Sequence, residues 1–442
     1  MSPAASAISG GDTAWVFVSS ALVLLMLPGL ALFYAGLVRA RAALNTVLMC
    51  FGAFAVVTVQ WVIIGYPLAF GSGGWLGNLE WLGFRGVGAG AGPYSATVPH
   101  AGFAVFQAMF AGITVALISG AMVERIRFKA FLAFALLWTT LVYDPIAHWV
   151  WATDGWLRKL GALDFAGGTV VHITAGTAAL VSARILGRRY DAGRMPLRPH
   201  NITYTLIGAG LLWVGWLGFN GGSALAADSV AANALATTHV AAAAGLITWL
   251  LIDSMRTGQA TAVGAATGAV VGLVAITPAA GYVTPLAAVA IGCAGAIASY
   301  IAVQWRSRTQ IDDALDVFAC HGVAGIVGAL LTGAFATKAV NPAGADGLFA
   351  GNPRLIVVQA IAVLTTMAVT ASLTAAISLA LARLSAVRLT LRDELTGVDA
   401  SEHGEQAYHD IDGSPIGGLG TRLGETVVLA SEPVSYPTRG AA

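Results

Sequence analysis

Apolar runs long enough to cross a bilayer follow one another along most of this chain, from about residue 14 to residue 384. That pattern constrains the fold more than any single residue does. Inside hydrocarbon every backbone N–H and C=O must be satisfied internally, so runs of this kind become helices packed on one another. Composition agrees: 10% of the 442 residues are charged, against about 25% in a soluble domain, and mean hydropathy is +0.77. The expected fold is an all-α integral membrane protein with eleven transmembrane helices. They are placed at 14–37, 45–70, 101–123, 129–152, 166–186, 202–222, 229–252, 261–277, 283–304, 316–337 and 353–384. Residues 1–384 form the membrane domain on this reading, and 385–442 form a polar cytoplasmic tail whose last part is disordered.

The basic residues orient this set. Of 23 Lys and Arg, sixteen fall after odd-numbered spans, five after even-numbered spans and two in the tail. The positive-inside rule then puts the N-terminus outside and the C-terminus in the cytoplasm. The N-terminal residues lack the basic n-region of a signal peptide, so the first run is expected to be a retained span. The net charge of +1 carries no basic patch for nucleic acid. Cys50, Cys293 and Cys320 have no metal or disulfide spacing and read as small apolar residues.

A faint repeat is visible. Gly29, Phe33 and Gly36 match Gly215, Phe219 and Gly222 at an offset of 186, and the fifth and tenth spans each hold a histidine preceded by an aspartate. A five-span unit repeated once has opposite orientations in its two copies, which is the inverted-repeat arrangement with a site between the halves. The eleventh span is extra. In the eighth span Gly264, Gly268 and Gly272 form a small-residue ridge for close packing.

Ionisable groups at membrane depth are costly and point to function by default. The run DFAGGTVVH carries Asp164 and His172, and DVFACHGV carries His321. A lone buried histidine is usually a satisfied core group; two at matching places in two repeats can pair ring to ring and face one small solute. Asp164 lies eight residues before His172, and on a continuous helix both would lean to one side. It reads equally as a cap for helix amides or as a charge favouring a cation. Asp316 is expected to fix the start of the tenth helix. Trp216, Phe219 and Ser223 share one helix face, and Phe106 and Phe110 are an i, i+4 pair. With Trp151 they place aromatics and one hydroxyl near the outer ends of their spans, Trp216 included, where a small cation is held by cation–π attraction.

These stretches, together with PGLALFYAGL, FQAMFAGITVALISGAMVERIRF, AHWVW, GWLGFNGGSA and the tail segment GVDASEHGEQAY, resemble the ammonium transporter family (Amt/MEP/Rh) on its bacterial side. The resemblance implies a homotrimer in the cytoplasmic (inner) membrane with one pore per subunit, and no enzyme activity or cofactor. It implies an outer recruitment site of Phe106, Trp151 and Ser223 supported by Asp164. Phe110 and Phe219 would gate the pore, His172 and His321 would line it, and Trp216 and Tyr34 would face the lumen or its cytoplasmic end. Ammonium would be recruited, deprotonated near the gate and conducted as ammonia. The alternative is an ammonium sensor signalling through a PII-type partner, since family tails dock on neighbouring subunits and respond to such proteins. A bis-histidine haem protein leaves the aromatic cluster unexplained. Asp144 before Pro145, and Cys320 beside His321, have no place in the family pattern.

Overall fold

The computed structural model describes residues 8–193 and 198–408; the tail end expected to be disordered lies outside them. Among the described residues, ten helices are long and apolar enough to cross a membrane. They are α1 (Gly10–Leu37), α2 (Ala40–Phe70), α3 (His100–Ser119), α4 (Phe128–Leu160), α5 (Gly168–Leu186), α6 (Ile202–Gly222), α7 (Ser229–Thr257), α9 (Pro285–Ser307), α10 (Phe318–Phe335) and α11 (Arg354–Leu384). Between α7 and α9 stands a shorter apolar helix, α8 (Ala262–Ile276). Helices occupy all the expected spans, with ends displaced by up to five residues except in α4, whose range runs eight further, to Leu160. Helix α7 runs five residues further than expected, to Thr257, because Gly258 in the left-handed region accepts the turn that stops it.

Side-chain oxygens start most of these helices where the sequence offers them. Ser9, Asn201, Asp228, Thr261 and Thr284 each accept an amide of the first turn that follows, offsetting the orphan donors of a helix N-terminus. Helices α2 and α4 lack a local cap and borrow one from the tail. The Asp399 carboxylate accepts from the Leu44 and Asn45 amides at 3.0 and 2.8 Å, and Glu402 accepts from Phe128 N at 2.9 Å. Tail residues up to Tyr408 are thereby fastened to the helical body, and Tyr408 meets His200 at 2.8 Å.

Helix α1 lies along α6, and α7, α8 and α9 pack together, with Gly268 and Gly272 of α8 against the α7 backbone as the ridge required. Helices α3 and α5 are the most enclosed. Both α2 and α4 are interrupted by a π-helical turn, Trp61–Gly65 and Thr139–Tyr143, each just before a proline that leaves a carbonyl unpaired in the helix ladder. The segment between α2 and α3 carries a two-stranded hairpin, β1 (Ala91–Gly92) and β2 (Ser95–Pro99).

An ionic cluster closes the side of the bundle where the tail docks. Glu124, 2% exposed, receives Arg39 Nη2 at 2.7 Å and Arg189 Nη1 at 2.9 Å. Arg189 forks onto Asp312 at 2.9 and 2.8 Å, and Asp312 O accepts from Arg125. Burial alone pushes the Glu124 carboxyl up, but the Arg39 and Arg189 guanidiniums outweigh it and hold it down at about 2. A carboxylate depressed in the folded state stabilises fully above its unfolded value of about 4.3 and loses that contribution as pH falls toward the folded one. Thermal unfolding in detergent should therefore show a melting temperature falling between about pH 5 and pH 2. Glu124→Gln leaves the buried Arg189 and the half-buried Arg39 short of a partner and should cost about 3–5 kcal/mol at pH 7, read as a lowered melting temperature with a flatter acid limb.

Candidate functional site

Helices α5 and α10 are built alike, and their starts bring His172 and His321 together. Asp164 and Asp313 each stand eight residues before a histidine, and both pairs are separated by the same 149 positions. Three residues after each aspartate the chain passes through the left-handed region, at Gly167 (φ 109°) and Asp316 (φ 55°). The histidines then sit in π-helical turns, Gly168–Ile173 and Phe318–Val323. Such turns recur at functional sites because they re-aim a side chain. The Asp164 carboxylate accepts four amides, those of Gly167, Gly168, Thr169 and Val170, at 2.7–3.0 Å. Asp313 accepts from Phe318 N at 2.7 Å. Asp316, expected to fix this helix start, instead pairs with Arg306 at 2.6 Å. The αL turn at Asp316 carries its carboxylate out of reach of the amides and leaves Asp313 to take them. The helical-wheel relation between Asp164 and His172 also fails, since residues 164–167 are not helical.

The two helix starts touch through glycine. A Cβ on Gly176 would collide with the Gly322 backbone, and one on Gly325 would stand 3.1 Å from Gly168 O and 3.2 Å from His172 Cβ. This reciprocal contact, again offset by 149, sets His172 Nδ1 3.3 Å from His321 Nδ1, with ring centroids 5.3 Å apart and planes inclined by 25°. Both histidines are buried, and His172 Nε2 has no protein partner among the described residues.

The lumen beside them is narrow and almost wholly apolar. A cavity of ≈ 10 Å³ is lined by Leu30, Tyr34, Ile113, His172, Trp216, Phe219 and His321 among others. That is about the room one water-sized molecule needs. Trp216 stacks on His172 at 5.3 Å and 22°, so it stands in the lumen and not at the outer ends where the aromatic pattern alone placed it. Its indole N–H donates to Thr277 Oγ1 at 2.9 Å, which turns the polar edge away. The Tyr34 hydroxyl donates to Leu117 O at 3.0 Å.

Phe219, which lines the cavity, stacks on Phe110 at 4.1 Å and 27°. Phe106 meets Phe110 edge-on at 4.9 Å, and Trp151 meets it edge-on at 6.0 Å. Trp151 Nε1 donates to the Asp164 carbonyl oxygen at 2.9 Å. The turn that starts α5 thus also positions the tryptophan, while the Asp164 carboxylate is fully occupied with amides. Ser223, one turn beyond Phe219, donates to Phe219 O at 2.8 Å and leaves its lone pairs free. The structure brings Tyr34, Phe106, Phe110, Trp151, Asp164, His172, Trp216, Phe219, Ser223 and His321 together through this series of contacts.

The family model for the Ammonium Transporter Family matches residues 14–408. The chain belongs to the ammonium transporter family. A relative named ammonium transporter from Bacillus subtilis (strain 168) is 48% identical over 402 residues, covering 90% of this chain and 99% of the relative. The crystal structure of Saccharomyces cerevisiae Mep2 superposes with a TM-score of 0.82 at 39% identity, covering 87% of this chain and 91% of that one. A structure titled Sensor Amt Protein superposes with a TM-score of 0.82 at 28% identity, covering 89% and 98%. This family member is a multi-pass membrane protein.

Sequence reasoning left several polar groups unread. Asp144, inside α4, accepts from Gln60 Nε2 at 2.7 Å, joining the two π-turn helices. Its other oxygen and Gln60 Oε1 have no partner among the described residues. His148 is buried with its ring nitrogens 3.1 Å from Ala69 O and 2.7 Å from Gly73 O, holding α4 to the end of α2 and the loop after it. The AHWVW motif contained His148, but only its partners reveal it as a clamp. Cys320 is buried next to His321 without a disulfide.

Gly176→Val should push the two helix starts apart. The expected result is a lowered melting temperature and a His172–His321 separation beyond hydrogen-bond range in a crystal structure. An unmoved pair would contradict the contact.

Proposed function

We propose that this protein carries ammonium across the cytoplasmic membrane, taking it up as the cation and passing it through the lumen as ammonia. The observation that carries this reading is the narrow apolar lumen, lined by Phe219 stacked on Phe110 and holding two paired imidazoles. Moving an intact cation into such surroundings costs several kcal/mol or more. Potassium has no proton to lose; ammonium does. Phe106, Trp151 and Ser223 recruit the cation through ring faces and a hydroxyl acceptor, and Asp164 supports them through the turn it caps. Deprotonation occurs near Phe110 and Phe219.

The histidine pair then suits ammonia in particular. Between two Nδ1 atoms at 3.3 Å only one carries hydrogen. The donor ring keeps a bare Nε2 and the acceptor ring an Nε2–H, so the pair offers one acceptor and one donor. Ammonia, with three N–H groups and one lone pair, can use both. Trp216 and Tyr34 complete the lumen with their polar ends tied back.

Eleven spans, an outside N-terminus and a cytoplasmic C-terminus follow from the basic-residue asymmetry. The inverted five-plus-five repeat draws support from the 149-residue correspondence between α5 and α10. The family resemblance adds a homotrimer and a PII-type signal protein at the cytoplasmic face. The sensor reading is not favoured, since the 48% relative is named a transporter while the sensor structure stands at 28%.

Solid-supported-membrane recordings on proteoliposomes test the role of the pair. His172→Ala should lower ammonium currents tenfold or more, or admit potassium. Currents equal to wild type with potassium still excluded would sink it.

A further inference from the structure

Away from the lumen, one cleft of 370 Å³ lies where the ends of α4, α5 and α11 that carry the tail converge. Ligand cavities run roughly 300–1,000 Å³, so it is large enough for a molecule. Its walls are apolar, with Phe134 of α4, Ile185 of α5 and Leu381 of α11 among them. Its floor is the tail itself. Arg127 N donates to Val387 O and Leu389 N donates to Arg125 O, both at 2.9 Å, so residues 387–389 pair with 125–127 like two short strands. One side is open, since Ala382, Ser385 and Ala386 line the cleft and are exposed.

Two polar features break the apolar lining. Ser182 is 1% exposed and its hydroxyl has no partner among the described residues. Arg388 stands at the mouth, half-buried. Its guanidinium donates to Leu186 O, Arg188 O and the Glu394 carboxylate, and of its five N–H groups one on Nη1 is left over. Arg184, Arg383 and Lys129 are exposed on the same helix ends. A long apolar slot opening sideways from membrane helices, with a cation at its cytoplasmic lip, has the chemistry of an amphipathic anion. Basic pockets between spans on the cytoplasmic side bind anionic lipid headgroups.

We propose that this cleft is a binding site for one phospholipid of the inner leaflet, an acyl chain lying along Phe134, Ile185 and Leu381 and the headgroup phosphate meeting Arg388. The lipid would contact the membrane helices and the tail at once. A detergent chain or a second copy of this protein are the other conceivable occupants.

Native mass spectrometry of the full-length protein, solubilised in maltoside detergent, separates these. It is titrated with dioleoyl-phosphatidylglycerol, dioleoyl-phosphatidylcholine and dioleoylglycerol. Wild type should bind a first phosphatidylglycerol at least tenfold more tightly than dioleoylglycerol, with phosphatidylcholine between them. Ala382→Trp, which fills the open side, should weaken that first binding tenfold or more. Ser378→Phe, filling the cleft one turn away, should do the same should the tryptophan variant not fold. Leu379→Trp, on the neighbouring surface of α11 and outside the cleft, should change it less than twofold. Equal binding of all three lipids would overturn the Arg388 contact. Wild-type-like binding by both filling variants would overturn the site. Loss of oligomer mass in the filling variants, with lipid binding intact, would assign the cleft to a second copy instead.

Discussion

Two buried helix starts, each held by an aspartate eight residues upstream of a histidine, support the whole central pathway. A helix that begins inside a membrane protein presents amides that no water reaches, and each unmet donor is costly. Asp164 answers four of them with one carboxylate. The same turn offers its carbonyl to Trp151, so the cap, this tryptophan and the histidine are fixed by one local structure. Because α5 and α10 share this construction and touch through Gly176 and Gly325, the imidazoles meet without any charge to hold them.

Polarity is partitioned sharply around that centre. Along the lumen, indole, phenol and hydroxyl groups are tied to neighbours, through Thr277, Leu117 O and Phe219 O respectively. What remains facing the path is ring surface, the Ser223 lone pairs and the histidine pair. Full charges are gathered instead where the tail docks, in the Arg39–Glu124–Arg189–Asp312 cluster, where each has an opposite partner. Strong ion pairs secure the loops and the tail, and the lumen stays free of them. A path built this way penalises any solute that must keep its charge.

Much of this was legible in the sequence, for physical reasons. Bilayer-length apolar runs leave helices as the only solution, so the spans emerge with small errors at their ends. His172 and His321 stand out because polar groups are rare in such runs. Phe106, Phe110, Trp216, Phe219 and Ser223 follow from helical spacing, which holds where the helix is regular. Apart from the depth of Trp216 on the regular α6, the errors fall where it is not. Asp164 and His172 were related by a helical wheel, but the chain between them runs through an αL residue and a π-helical turn. Spacing gives Asp316 a capping role that belongs to Asp313, because a positive φ at Asp316 is invisible to it. Asp144 and His148 depend on partners from α2 far away in sequence, and no local pattern announces such pairing.

The central claim is that this lumen passes a solute able to shed its proton and rejects one that cannot. Proteoliposomes holding the wild-type protein, given equal inward gradients of ammonium or potassium with internal pH and membrane voltage recorded together, test it directly. Ammonium should change internal pH or voltage well above protein-free liposomes, and potassium should leave both at the protein-free level. A potassium response comparable to that of ammonium would contradict the account.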